Sequence, residues 1–242
     1  MDQKLSRAKR RTDETRWTAV NSAGYPAPVA LAVDIVVLTV KAARFHVLTI
    51  ERPDGSRALP GGFVGEAERP DETAARKLQE KTGLAEVYLE QLATFAQPDR
   101  DPRGWIPSVA YVALVPPDTE PTDPSARWDR IGDHERLAFD HQEILETALD
   151  RLRGKLWWSN VAVGILSEPF TMAEAREVYE AIAGIAYDAS TFARDLRATG
   201  LISPAAGQHR TTRGRPASLY SFKDRQPSWG AGRRKRVTPL AQ

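Results

Sequence analysis

GFVGEAERPDETAARKLQEKTGL, residues 62–84, is the stretch whose reading decides the fold of this chain. It follows on LPGGFV, Leu59 to Val64, where the adjacent glycines Gly61 and Gly62 break an apolar run and allow close backbone approach. A helix is expected from about Pro70, because proline is tolerated in the first turn, to Lys81, with Gly83 to stop it. Spacings of three and four residues make helical neighbours, so Lys77, Glu80 and Lys81 share one face. Gly62, Glu68, Arg76, Leu78, Glu80, Gly83 and Leu84 thus stand at fixed spacings across a loop, a helix and a second loop.

Working outward, VALAVDIVVLTV (Val29 to Val40) is β-branched and nearly continuous in apolar residues, as a buried strand is. Phe45 to Glu51 reads as its partner across the short Lys41–Arg44 connection. Val87 to Phe95 and Ser108 to Val115 read as strands around the polar loop PDRDPRG, and PPDTEPTDPS as a Pro-rich loop. Asp140 and Glu143 supply a cap-like start to a helix with Ile144, Leu145, Ala148, Leu149 and Leu152 on one stripe. The expected division is a basic leader (1–22), a mixed α/β domain (23–153), a second module (154–225) and a Gly/Arg-rich tail (226–242).

With 242 residues, two modest domains can each bury a core. No apolar run approaches the length of a membrane span, and the basic N-terminus is not followed by the apolar core of a secretory signal. The chain has no cysteine, which excludes disulfides, thiolate zinc sites and thiol nucleophiles. A cytoplasmic location is the expectation. The net charge of +2 is unevenly spread: residues 155–242 hold 13 Lys and Arg against 7 Asp and Glu, the rest 21 against 25. A basic module joined to an acidic one points to a polyanion at the C-terminal end only.

The spaced set around residues 62–84 resembles the Nudix signature, and with it the Nudix α/β/α sandwich. The resemblance also marks a departure. Family glutamates that bind a divalent metal correspond to Lys77 and Lys81. A hard cation wants oxygen ligands, and unit charges at about 4 Å interact by about 4 kcal/mol at an effective dielectric near 20. Glu80 alone does not offset two ammonium groups, so neither a metal site, a catalytic residue nor a cofactor is expected. Either the lysines attract an anionic ligand in place of metal, or Glu68 and Glu80 neutralise them, or they point into solvent and another residue recruits metal. The effector-binding candidates are Arg57, Gly61, Gly62, Glu68, Arg76, Lys77, Glu80, Lys81, Arg100 and Arg103.

In the second module Ser159 to Leu166 is expected to form a helix. Thr171 with Glu174 three residues on has the form of a capping box. The helix it opens carries Ala175, Val178, Tyr179 and Ile182 inward. A third helix, Asp188 to about Thr199, turns Phe192 and Leu196 inward and Ser190, Thr191, Arg194 and Arg197 outward, as the reading helix of a helix-turn-helix does. A hairpin follows, with AAGQHRTTRGRPA as its polar turn and His209, Arg210, Arg213 and Arg215 as phosphate or minor-groove contacts. Trp157 and Trp158 at the junction read as interdomain packing.

Together, PDRDPRGWIPSVAY, FDHQEILETAL and RTTRGRPASLYSF resemble the NrtR family of Nudix-related transcriptional regulators, from Gly24 to Phe222. The resemblance implies an α+β chain with a C-terminal winged helix-turn-helix domain. It implies a homodimer on double-stranded operator DNA, repression of NAD biosynthesis or salvage genes, and ADP-ribose or a related nucleotide as effector. A working ADP-ribose or nucleoside-diphosphate pyrophosphatase with an accessory DNA-binding domain is the competing reading, and a constitutive DNA-binding protein a third.

Overall fold

The computed structural model describes residues 30–85, 87, 89–133, 136–210 and 217–224. The leader 1–22 and the tail 226–242 lie outside the described residues.

The apolar stretch forms the centre of a sheet. Strand β1 (Ala32–Lys41) turns through Ala42 and Ala43, both at positive φ (47° and 57°), into antiparallel β2 (Arg44–Glu51). The short strands β3 (Arg57–Ala58) and β4 (Gly61–Phe63) flank the Leu59–Pro60 bend. The first pairs with β2 and the second with β1. Helix α1 (Pro70–Thr82) ends at Gly83, whose φ of 77° suits a residue without a side chain. Beyond it come β5 (Glu90–Phe95), β6 (Ser108–Leu114), parallel to β1, and β7 (Ala126–Arg130), paired with β2. The path β3-β2-β1-β6-β5, with β4 on β1 and β7 on β2, makes a seven-stranded mixed sheet.

Period-two alternation sends β1 side chains to two cores. Val33, Ile35 and Val37 pack with Ala74 and Leu78 of α1. Val36, Leu38 and Val40 pack with Ile144, Leu145, Ala148, Leu149 and Leu152 of α2 (His141–Lys155) on the other face. This is the α/β/α sandwich.

After α2 a 3-10 turn (Val161–Gly164) leads to β8 (Phe170–Thr171), α3 (Met172–Ala183), α4 (Ala189–Ala198) and the hairpin β9 (Ile202–Arg210) and β10 (Ala217–Phe222). Thr171 accepts the Glu174 N–H at 3.2 Å while Glu174 accepts that of Thr171 at 2.7 Å, closing the capping box. Asp188 caps α4 by accepting from the Thr191 N–H at 2.8 Å. With β8-β10-β9 as a small sheet, this is a winged helix. Its core is continuous with that of the sandwich through α2. Among the described residues no helix is long and apolar enough to cross a membrane.

Some expectations are corrected. Ser159 to Leu166 makes only the 3-10 turn, whose Gly164 packs so tightly on β6 that an added Cβ would lie 2.6 Å from the Leu114 carbonyl oxygen. The strand expected from Val87 begins at Glu90, and the charged segment ARWDR supplies the unforeseen β7. The wing strand β9 runs on to Arg210 through residues read as a turn. Asp140 stands at the N-cap of α2 but gives it no side-chain hydrogen bond.

Candidate ligand cleft and nucleic-acid surface

A cleft of about 280 Å³ opens where the glycine bend, the end of α1, the loop after β5 and the start of α2 meet. Its floor is a buried ion network. Asp34, a lone carboxylate in the apolar β1, receives the Ser108 hydroxyl at 2.7 Å and Arg100 Nη2 at 3.0 Å. Its other oxygen lies 3.2 Å from His141 Nε2. His141 Nδ1 accepts the Leu59 N–H at 2.9 Å, which leaves Nε2 to carry the proton toward Asp34. Asp140 uses both oxygens on Arg100, at 2.7 Å each, and the Ile106 carbonyl takes a fourth guanidinium hydrogen at 3.0 Å. Burial alone would raise the Asp34 pKa. His141, Ser108 and Arg100 outweigh it and hold the carboxyl down at about 2.

The walls are cationic and aromatic. Arg103, with Asp101 accepting from Nη2 at 2.6 Å, lies over the rings of Phe63 (4.9 Å) and Phe139 (5.8 Å). Arg52 covers Phe139 at 4.5 Å. Such guanidinium–ring pairs are worth roughly 0.5–1 kcal/mol at exposed positions. Phe63 is one of the large apolar side chains left open to solvent.

The α1 charges form a chain rather than a free set. Arg76 binds Glu68 through Nε at 2.8 Å and Nη2 at 2.5 Å, and reaches Glu80 at 2.9 Å. Arg76 and Thr73 hold Glu68 at a pKa of about 2, and Lys77 with Arg76 keeps Glu80 below the usual carboxylate range. Lys77 Nζ donates to Glu80 at 2.7 Å while its stem crosses Gly62, where an added Cβ would meet it at 2.9 Å.

Gly61, Gly62, Lys81, Arg100 and Arg103 therefore line one cleft. Glu68, Arg76, Lys77 and Glu80 make the adjoining helix face. Arg57 stands apart: it is buried, giving Nη2 to the Thr49 carbonyl at 2.7 Å and Nη1 to that of Ser125 at 3.1 Å. Sequence reasoning did not single out Asp34, Arg52, Phe63, Phe139 or His141. A single acid inside an apolar strand was the available signal for Asp34, and Phe139 and His141 lie in the FDHQEILETAL segment.

On the winged helix, Ser190 and Arg194 are exposed on α4, and Thr191 is half-buried beside its cap. Arg194 donates to Asp195 at 2.8 Å. Arg197 is exposed but anchored: its Nη2 donates to the Tyr220 hydroxyl at 3.0 Å, over whose ring it lies at 5.5 Å. This ties the outer face of α4 to the wing. His209 and Arg210 fall on β9, whereas Arg213 and Arg215 lie outside the described residues. Trp157, directly after α2, meets Tyr179, Tyr187 and Phe192 edge-on at 5.2, 5.4 and 5.6 Å.

Comparison with known proteins matches residues 28–153 to the NUDIX domain and residues 162–222 to the NrtR DNA-binding winged helix domain. An ADPR responsive transcriptional repressor, NtrR, of Acinetobacter baylyi is 32% identical over 211 residues, covering 82% of this chain and 83% of that protein. The structure of Shewanella oneidensis NrtR complexed with a 27mer DNA is similar with a TM-score of 0.71 and 36% identity, over 80% of this chain and 93% of that one. The NUDIX domain of the same protein complexed with ADP ribose is similar with a TM-score of 0.50 and 32% identity, over 58% of this chain and 98% of that one.

Proposed function

Because this chain belongs to the NrtR family of Nudix-related transcriptional regulators, we propose that it is a repressor whose cleft senses ADP-ribose or a related nucleotide. The observation that carries this reading is one continuous core joining a cation- and aromatic-lined cleft to a helix-turn-helix. An anionic diphosphate suits Lys81 and Arg103, and a nucleobase suits the solvent-exposed ring of Phe63. On the winged helix, Ser190, Thr191, Arg194 and Arg197 would read a major groove. The basic wing with His209, Arg210, Arg213 and Arg215 would hold phosphates. One such module makes few contacts, so a homodimer on a pseudo-palindromic operator follows. Genes of NAD biosynthesis or salvage are the targets in this reading, the cytoplasm is its site of action, and the sandwich and the winged helix divide at 153–154.

The same geometry opposes hydrolysis. Glu68 and Glu80 are each engaged by a cation of α1, and the Lys77 ammonium lies against the carboxylate that a divalent ion would need. These residues do not fit a magnesium ion.

Selection of DNA from a random pool should return a two-fold symmetric sequence, and ADP-ribose should change the affinity for it. In the presence of Mg²⁺ or Mn²⁺ the purified protein should leave ADP-ribose intact. An unenriched pool, or turnover near 1 per second or faster that Glu80→Ala abolishes, refutes the reading.

A further inference from the structure

Helix α2 touches both functional regions. Its first turn belongs to the cleft. Phe139, which lies under Arg52 and Arg103, has a φ of 58°, a left-handed backbone that costs energy for a bulky residue. Directly after it, Asp140 leaves the N-cap unserved and spends both oxygens on Arg100. His141 clasps the Leu59 N–H and Asp34. Fifteen residues of α2 then span about 22 Å. At the far end Arg153 donates to the Ile182 carbonyl in the last turn of α3 at 3.3 Å. Trp157 inserts among Tyr179, Tyr187 and Phe192, the last of these on the inner face of α4.

A rigid helix held at both ends converts a change at its start into a displacement at its end, because packed interiors do not absorb strain locally. Gly164, wedged on the Leu114 backbone, gives the winged helix a fixed second bearing. The geometry points to α2 as the element that carries cleft occupancy to the DNA-reading helix, with Phe139 and Asp140 as the positioning residues that set its start. The two states are the strained Phe139 seen here, with Asp140 on Arg100, and a relaxed Phe139 that re-seats the first turn. A ligand that takes Arg103 away from Phe139 favours one of them, and this differential interaction shifts the balance. The inference rests on the reading of the cleft as the effector site.

The test is isothermal titration of full-length protein with ADP-ribose, with and without a selected operator duplex, on wild type, Asp140→Asn and Trp157→Phe. Asn keeps the shape of Asp140 without its charge, and Phe keeps an edge contact while shortening the ring. Wild type should show a coupling factor in the usual range of roughly 5–150-fold. Trp157→Phe, remote from the cleft, should bind ADP-ribose alone and operator alone within about threefold of wild type, with the coupling factor falling toward one; Asp140→Asn alters the cleft floor and is read by its coupling factor alone, which should fall in the same way. A defect that was merely structural would lower the separate affinities instead. Wild-type coupling in folded Asp140→Asn and Trp157→Phe overturns the inference. If Asp140→Asn does not fold, Trp157→Phe decides alone. A wild-type protein that binds both ligands with no coupling refutes the sensor reading itself, a different failure from coupling that survives the substitutions.

Discussion

Replacing Asp34 by asparagine tests the ion network beneath the cleft. The carboxyl is buried and held at a pKa of about 2 against an ordinary 3.8. Linkage equates that depression with roughly 2 kcal/mol of stability, fully present above pH 4 and lost as the pH falls toward 2. Asparagine keeps the volume but loses the charge, leaving Arg100 with Asp140 as its remaining carboxylate. At neutral pH the variant should therefore be less stable by about 2–4 kcal/mol, the upper part reflecting a buried partner left short of countercharge. The pH dependence is the sharper signature. Between about pH 6 and pH 3 the wild type should surrender about 1 kcal/mol through this one group, and the variant none of it. The gap between the two proteins should narrow by that amount. Urea unfolding followed by tryptophan fluorescence at several pH values measures it. A gap that stays constant with pH, or that never exceeds about 0.5 kcal/mol, refutes the view that Asp34 is a stabilising buried anion.

Gly164→Ala should lower the melting temperature, because its Cβ would meet the Leu114 backbone, which cannot swing aside; overpacking of this kind costs about 1–3 kcal/mol, and an unchanged melt contradicts the tight joint. Lys81→Ala should weaken ADP-ribose binding in chelator more than Lys77→Ala, since the Lys77 ammonium is committed to Glu80 while Lys81 lines the cleft; calorimetry showing the reverse order would reassign the anion contact. Arg197→Ala should lower operator affinity by about 1–3 kcal/mol if it reaches a base edge. Tyr220→Phe, which frees the guanidinium from its hydroxyl, should follow part of the way; anisotropy titrations that find Tyr220→Phe unchanged would show the anchor to be idle.

Local rules carried the elements whose causes are local. Gly62, Glu68, Arg76 and Gly83 stand in the register of the Nudix signature, and the sandwich was legible there through that resemblance. Pro70 and Gly83 bracketed α1 because φ preference acts residue by residue. The Thr171–Glu174 capping box and the Phe192–Leu196 spacing gave the helix-turn-helix in the same way. Where the outcome depended on distant chain, the reading failed. Ser159 to Leu166 folds as a 3-10 turn packed on the Leu114 backbone, and ARWDR became β7 by pairing with β2.

The candidate site divides along the same line. The resemblance to the Nudix signature named the lysines on α1, and helical period placed them on one face with Glu80, since charge and period are properties of the sequence. Which of those charges remain open is a matter of partners far along the chain. Arg57 is spent on Thr49 and Ser125. Arg100 is spent on Asp34 and Asp140, 66 and 40 residues away. Asp140 has the sequence of a helix cap and serves as a buried counterion instead, because a buried guanidinium left short of countercharge costs more than an unserved cap. Hydrogen bonds and ion pairs of this kind are decided by proximity in three dimensions, and periodicity along one dimension carries no information about them.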